Sequence, residues 1–141
     1  MNNRISEHIL SNLSQIVIKN LLVKRLNMRE QVVKLVEIIP IEFIVRNIAT
    51  GSLTKRLGIT DGTVLDKPLL EFCYKKDELD DPLIAKEHIF AFNWATKEEI
   101  EAIEEMTFRI NDFMSGMFRV CLLYTTPSPR ASQKGRMPSS A

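Results

Sequence analysis

From Asn2 to Ile16 the apolar positions Ile5, Ile9, Leu10, Leu13 and Ile16 recur at helical spacing, and Asn2-Asn3 offers a capping side chain at the start. Past Val17 that period is lost, and Ile18, Leu21, Leu22 and Val23 with Lys24 and Arg25 predict a turn and then a strand. Gln31 to Ile39 predicts a second strand, and a tight connection at Met28-Arg29-Glu30 would make the two a hairpin. Ile38 to Val45 is apolar except for Pro40 and Glu42 and is rich in β-branched residues, a composition that suits buried strands. Pro40 cannot donate to a ladder, so it belongs at a strand junction, with a third strand over Glu42 to Ala49. Thr50-Gly51-Ser52 opens a short helix, Leu53 to Leu57, closed by Gly58.

Asp61-Gly62 then marks a turn, and Leu69 to Tyr74 predicts a fourth strand. A polar loop, Lys75 to Pro82, and a short helix over Glu87 to Phe92 follow. Thr96 with Glu99 is a capping box, and it starts the clearest helix of the chain, over residues 97–118. Its stripe of Ile100, Ile103, Thr107, Ile110, Met114 and Met117 faces a core. Strands in succession followed by a helical stripe predict an α+β fold, one antiparallel sheet (about 21–49 and 69–74) with packed helices.

Composition narrows the class. A chain of 141 residues with 45% hydrophobic content is one domain in length and can bury a core. From Tyr124 onward the apolar content nearly vanishes, so residues 121–141 are expected to be a disordered tail lacking the apolar area to offset ordering entropy. That tail carries Arg130, Lys134 and Arg136 and no acid, which leaves 16 basic against 18 acidic side chains in residues 1–123. No clustered basic face points to nucleic acid. Cys73 and Cys121 form neither a disulfide framework nor a metal pattern, and no apolar run is long enough to cross a membrane. A cytoplasmic setting is expected.

Candidate chemistry concentrates where the third strand meets the short helix. Arg46 offers a planar fork for a carboxylate or phosphate, and Gly51 and Ser52 offer free backbone N–H groups at a helix start. An ordinary strand–turn–helix with a capping Ser and a surface Arg fits the same residues equally well. Glu42 sits in an apolar strand, where a carboxylate is costly without a partner. Either it pairs with Arg46 or another base, or it faces a ligand cleft; taken alone, the residues favour pairing. Lys55 and Arg56 complement the helix C-terminus as readily as they bind substrate. Asp77, Asp80 and Asp81 invite a metal reading, but the spacing fails the EF-hand pattern and no metal site is assigned. His8 and His88 have no partner at catalytic spacing, so no catalytic residue is assigned.

The run Ile38-Ile39-Pro40-Ile41-Glu42, then Ile44-Val45-Arg46 and Thr50-Gly51-Ser52, resembles the first signature of the phosphoribosylaminoimidazole-succinocarboxamide synthase (SAICAR synthetase) family. Leu53 to Ile59, Lys67 to Phe72 and Asp77 to Pro82 continue the resemblance in register, from about Asn2 to Phe118. It implies a partial SAICAR synthase-like fold over residues 1–120, with a non-family tail over 121–141. It also implies a ligase that joins the carboxylate of carboxyaminoimidazole ribotide to the amine of L-aspartate, with ATP split and Mg2+ as the accompanying ion. Arg46, Gly51 and Ser52 match the part of the motif that meets the ribotide. Asp81, before Pro82, matches a motif near the ribotide, Lys55 joins the candidate substrate-binding set, and Glu42 lies on the strand along the nucleotide site. A homo-oligomer is compatible with the resemblance.

Two family parts have no counterpart here: an N-terminal lobe that cradles ATP, and a second signature, Leu-x-Asp-x-Lys-x-Glu-Phe-Gly, after the long helix. The chain therefore reads as an internal fragment of the ligase, expected to be inactive alone. The tail reads as read-through sequence or as a genuine disordered tail. From a different class, a non-catalytic α+β module that binds a phosphorylated metabolite or a partner chain fits the same residues.

Overall fold

The computed structural model describes residues 2–125. In chain order these form α1 (Asn2–Gln15), β1 (Leu22–Arg25), β2 (Gln31–Val33), β3 (Ile41–Ala49) and α2 (Ser52–Leu57). They continue with β4 (Thr63–Tyr74), a 3-10 turn (Asp77–Leu79), β5 (Leu83–Ile84), α3 (Lys86–Ala91) and α4 (Lys97–Thr125). Every strand pairing is antiparallel, as expected, and the class is α+β.

The strands make two sheets, β1–β2 and β3–β4–β5, rather than one. The run Lys34 to Ile39, expected to extend the second strand, joins no ladder, and Leu35 is fully exposed. β-Propensity describes a fit to a pleated surface with neighbours. Past Lys34, whose N–H still bonds the Leu21 carbonyl, the run finds no pairing strand among the described residues, and of its side chains Ile39 alone packs on the core cluster. The β1–β2 hairpin is closed by Asn27, whose side-chain oxygen accepts from the backbone N–H groups of Arg29 and Glu30 at 2.8 and 3.0 Å. Asn3 was read as a cap but lies inside α1. Its amide donates to the carbonyls of Asn27 and Glu30 and pins the hairpin to the helix.

Pro40 stands immediately before β3, and its carbonyl accepts from the N–H of Lys75 at 2.9 Å. β4 is longer than expected. It begins at Thr63, directly after the Asp61-Gly62 turn, and is interrupted where Arg46 pairs Leu69 but Ile48 pairs Val64. Pro68 lies in that irregularity, where a missing N–H breaks no regular ladder bond. β5 pairs at only Leu83 and Ile84, too short to leave a periodic signal.

Register decides which side of the sheet does what. Ile41, Phe43 and Val45 face one way with Leu70, Phe72 and Tyr74, and Ile41, Phe43 and Phe72 pack with Ile89 and Ile100. Ile89 and Ile100 have no exposed surface, and Tyr74 stacks on Trp94 at 4.4 Å between ring centres. The opposite face carries Glu42, Ile44 and Arg46 beside Leu69, Glu71 and Cys73. One face is core and the other is chemistry.

α4 begins as expected: Thr96 accepts from the Glu99 N–H at 3.2 Å, and Glu99 accepts from the Thr96 N–H at 2.8 Å. Beyond Ile100 its stripe is only half-buried, so Ile103, Ile110, Met114 and Met117 line a shallower contact than a closed core. Asn111 exchanges amide hydrogen bonds with Asn47 of β3, and Arg109 donates to the carbonyl of Ile16, which ties α4 to the sheet and to the end of α1. The helix runs through Thr125, past the expected boundary, and the rest of the expected tail lies outside the described residues.

Candidate functional site

The site face is built by three elements. β3 supplies Arg46, β4 supplies Glu71, and α2 supplies Ser52 and Arg56. Arg46 Nε donates to Glu71 Oε2 at 2.6 Å, and Arg46 Nη2 donates to Ser52 Oγ at 3.1 Å. A longer contact, 3.4 Å, runs from Nη1 to the carbonyl of Thr50. Arg56 Nη2 donates to the other carboxylate oxygen of Glu71. Glu71 is 8% exposed, a buried carboxylate held between two guanidinium groups. Two cations around one anion leave the cluster with a surplus positive charge.

Local sequence explains the shape. Gly51 sits at φ 59°, ψ −124°, a backbone state that essentially only glycine adopts without strain. It turns the chain sharply between β3 and α2 and brings Ser52 under the Arg46 fork. Ser52 is not a cap here: no side-chain cap bond is formed at α2, and its hydroxyl serves Arg46 instead. Gly58 closes the helix in the left-handed region at φ 65°. α2 has only six residues, so its dipole is short, and the guanidinium groups carry most of the attraction for an anion.

The expected residues fall into three groups. Arg46, Gly51 and Ser52 converge. Lys55 is exposed on α2, and its neighbour Arg56 is the one that turns into the cluster. Glu42 shares the face of Arg46 but is exposed and pairs in register with Cys73. Of the alternatives for Glu42, a pair with Arg46 is not formed: the diagonal across the antiparallel ladder brings Glu71 to the fork instead.

Asp81 stands past the far end of β4. Its carboxylate accepts from Lys75 Nζ at 2.6 Å and from the Lys76 N–H at 2.8 Å. The hydrogen bond from Lys75, then that from Lys76, holds the Asp81 carboxyl below its usual range, and Asp81 raises Lys75 in return. Both shifts give the loop contact a pH window. A depressed carboxyl contributes order above about pH 4 that is lost as pH falls through its folded value. A raised ammonium contributes order below about pH 10 that is lost as pH climbs through its own folded value. The Asp81 carboxyl carbon should titrate by NMR at a lower midpoint than in Lys75→Met. Identical midpoints would mean that Lys75 does not hold it.

Cys73 lies between these groups. Burial pushes its thiol up, and the charges of Glu42, Glu71 and Asp81 push it further, against a smaller opposing effect of Arg46. A thiol kept protonated is a poor nucleophile, and Cys73 is buried on this face of the sheet.

The sequence reading passed over Glu71 and left Arg56 undecided. The available signal was the charge at the centre of Leu69 to Tyr74, the same sign that singled out Glu42.

A model of the SAICAR synthetase family matches residues 1–123. The chain is 76% identical over 119 residues to the phosphoribosylaminoimidazole-succinocarboxamide synthase of Pelagibacter ubique, covering 84% of this chain and 46% of that protein. It is 58% identical over 118 residues to the corresponding protein of Bartonella quintana, with the same coverage. Among solved structures, the Ehrlichia chaffeensis synthase superposes with a TM-score of 0.81 at 44% identity, over 83% of this chain and 49% of that one. A SAICAR synthetase in complex with ADP superposes with a TM-score of 0.75 at 32% identity, over 79% and 47%. The chain spans about half the length of the relatives it matches. With that family model matched over residues 1–123, this chain belongs to the SAICAR synthetase family.

Proposed function

We propose that this chain carries the ribotide-binding part of a ligase that joins carboxyaminoimidazole ribotide to L-aspartate with ATP hydrolysis, in the cytoplasm. The observation that supports it best is the Arg46 fork, oriented by Glu71 and Ser52 on the face of the sheet turned away from the core. An anionic group of the ribotide would meet a fixed guanidinium there rather than a mobile one, which lowers the ordering cost of binding. Gly51 admits the close approach, Lys55 adds positive charge from α2, and Asp81 bounds the site beyond β4. Arg46 and Ser52 orient the ribotide; Glu42 is the exposed carboxylate left to meet the nucleotide.

The described residues do not fit ATP or Mg2+ by themselves. No group of three His, Cys, Asp or Glu side chains converges among them, Asp81 is already engaged by Lys75 and Lys76, and Glu42 alone cannot cradle a triphosphate. ATP and Mg2+ chemistry would need residues beyond these, and the ligation step is assigned to none of those described.

Calorimetry on the polypeptide of residues 1–141 tests the reading. Ribotide should bind weakly, ATP should give no measurable heat of binding, and aspartate should not be ligated. ATP-dependent formation of product by this polypeptide alone would overturn the account. A homo-oligomer is compatible with this reading.

The alternative, a non-catalytic module that docks a partner chain, draws on the exposed Leu35 and Ile38 in the unpaired run before β3. Binding of ribotide with no dependence on Arg46 would favour that module.

A further inference from the structure

We infer that Glu71 is a positioning residue, holding Arg46 and Arg56 as two halves of one cradle for an anionic oxygen group of the bound ribotide. The inference deepens the ribotide reading and rests on it. Its basis is a convergence that a simple ion pair does not require. Among the described residues Glu71 is the one charged side chain that is buried, and each of its carboxylate oxygens accepts from a different arginine. The two arginines come from different elements, β3 and α2, while Glu71 stands on the central strand of its sheet. One carboxylate therefore fixes the relative placement of two guanidinium groups.

Charge gives the second part of the argument. A buried carboxylate needs a single arginine to be neutralised; here there are two, and the Arg46 and Arg56 side chains keep 18% and 35% of their surface exposed. Each guanidinium has five N–H donors in a planar fork. Arg46 spends Nε on Glu71 and Nη2 on Ser52, which fixes the plane of its fork. Arg56 reaches Glu71 through Nη2 alone and keeps its remaining donors for another acceptor. The surplus charge thus stands on partly exposed guanidinium groups, one of which, Arg46, lies against Ser52.

Removing the Glu71 charge has two opposed consequences. It adds positive potential, which attracts an anion, and it frees both arginines, which dissolves the cradle. The first is a diffuse effect screened by salt within about 10 Å. The second leaves the ribotide to order two freed arginine side chains on binding, which corresponds to about tenfold in affinity. Geometry wins.

The test uses the 141-residue chain with Glu71→Gln, and Glu71→Asp as a second variant should the first fail to fold. Arginine Nε–H signals are followed by NMR without ligand, and ribotide and its phosphate-free riboside are titrated by calorimetry at two salt concentrations. In the unaltered chain Arg46 Nε–H should be protected from exchange. Glu71→Gln should lose that protection, bind ribotide about tenfold more weakly and show a steeper salt dependence. Glu71→Asp, with its charge kept and its reach shortened, should fall between. Loss of affinity in the riboside would assign the cradle to the phosphate, and retained affinity would assign it to the carboxylate. Unchanged ribotide affinity in Glu71→Gln, with Arg46→Ala weakened, would overturn the role of Glu71 and leave the ribotide reading standing. No binding by the unaltered chain would overturn the ribotide reading and with it the cradle, while the Nε–H signals would still show whether Glu71 orders the arginines.

Discussion

Arg46→Ala is expected to remove about 1.5–3 kcal/mol of ribotide binding, the range for a hydrogen bond to a charged group. The effect should be large because Arg46 links everything at the site: it reaches Glu71 through Nε and Ser52 through Nη2. Its removal also leaves the Glu71 carboxylate with Arg56 alone, so some loss of thermal stability accompanies the loss of affinity. Arg46→Lys should rescue only in part. Lysine keeps the charge but presents a point donor, and it cannot serve Glu71 and Ser52 in one plane. Calorimetric titration of the three proteins checks this order: unaltered strongest, then lysine, then alanine. Equal affinity in all three would place the ribotide elsewhere.

Ile100→Ala should be the most damaging core substitution, costing about 2–5 kcal/mol as measured by urea or thermal unfolding. Ile100 and Ile89 are fully buried, and with Ile41 they form the centre on which Phe43, Phe72, Ile84 and Trp94 pack. That centre joins the sheet to α3 and to the first turn of α4, and little else is buried as completely. A domain of this size holds only about 5–15 kcal/mol of net stability, so a cavity there removes a large part of it. Ile103→Ala, one turn along on the half-buried part of the stripe, should cost less. A loss below ~1 kcal/mol for Ile100→Ala would mean that this cluster does not carry the fold.

What the sequence made legible was local. The capping box at Thr96 and Glu99, the turn at Asp61-Gly62, the junction at Pro40 and the glycine at position 51 each rest on chemistry within four residues. β3, α2 and the start of α4 stand where they were expected, while the strand after Asp61-Gly62 begins six residues earlier, at Thr63. What was hidden depended on pairing between distant strands. Glu71 lies 25 residues from Arg46 and meets it only through the β3–β4 register. Along the chain alone, Arg46 was one of several possible partners for Glu42, and nothing local pointed to Glu71.

The same cause split the expected sheet. Lys34 to Ile39 has the composition of a strand, yet strands form where a neighbour completes the ladder, and composition does not name the neighbour. β4 departs in the opposite direction: expected from Leu69, it begins at Thr63 and tolerates Pro68 inside an irregularity whose position depends on how Ile48 finds Val64.

The central claim is that one face of the β3–β4 pair binds the anionic end of the ribotide through Arg46 and Ser52. The most direct measurement is a structure of the 141-residue chain solved with the ribotide. The account predicts a phosphate or carboxylate oxygen within hydrogen-bond distance of the Arg46 guanidinium and close to Gly51 and Ser52, with Glu71 still holding Nε. A ribotide bound elsewhere, with the Arg46–Glu71–Ser52 cluster untouched by it, would contradict the claim.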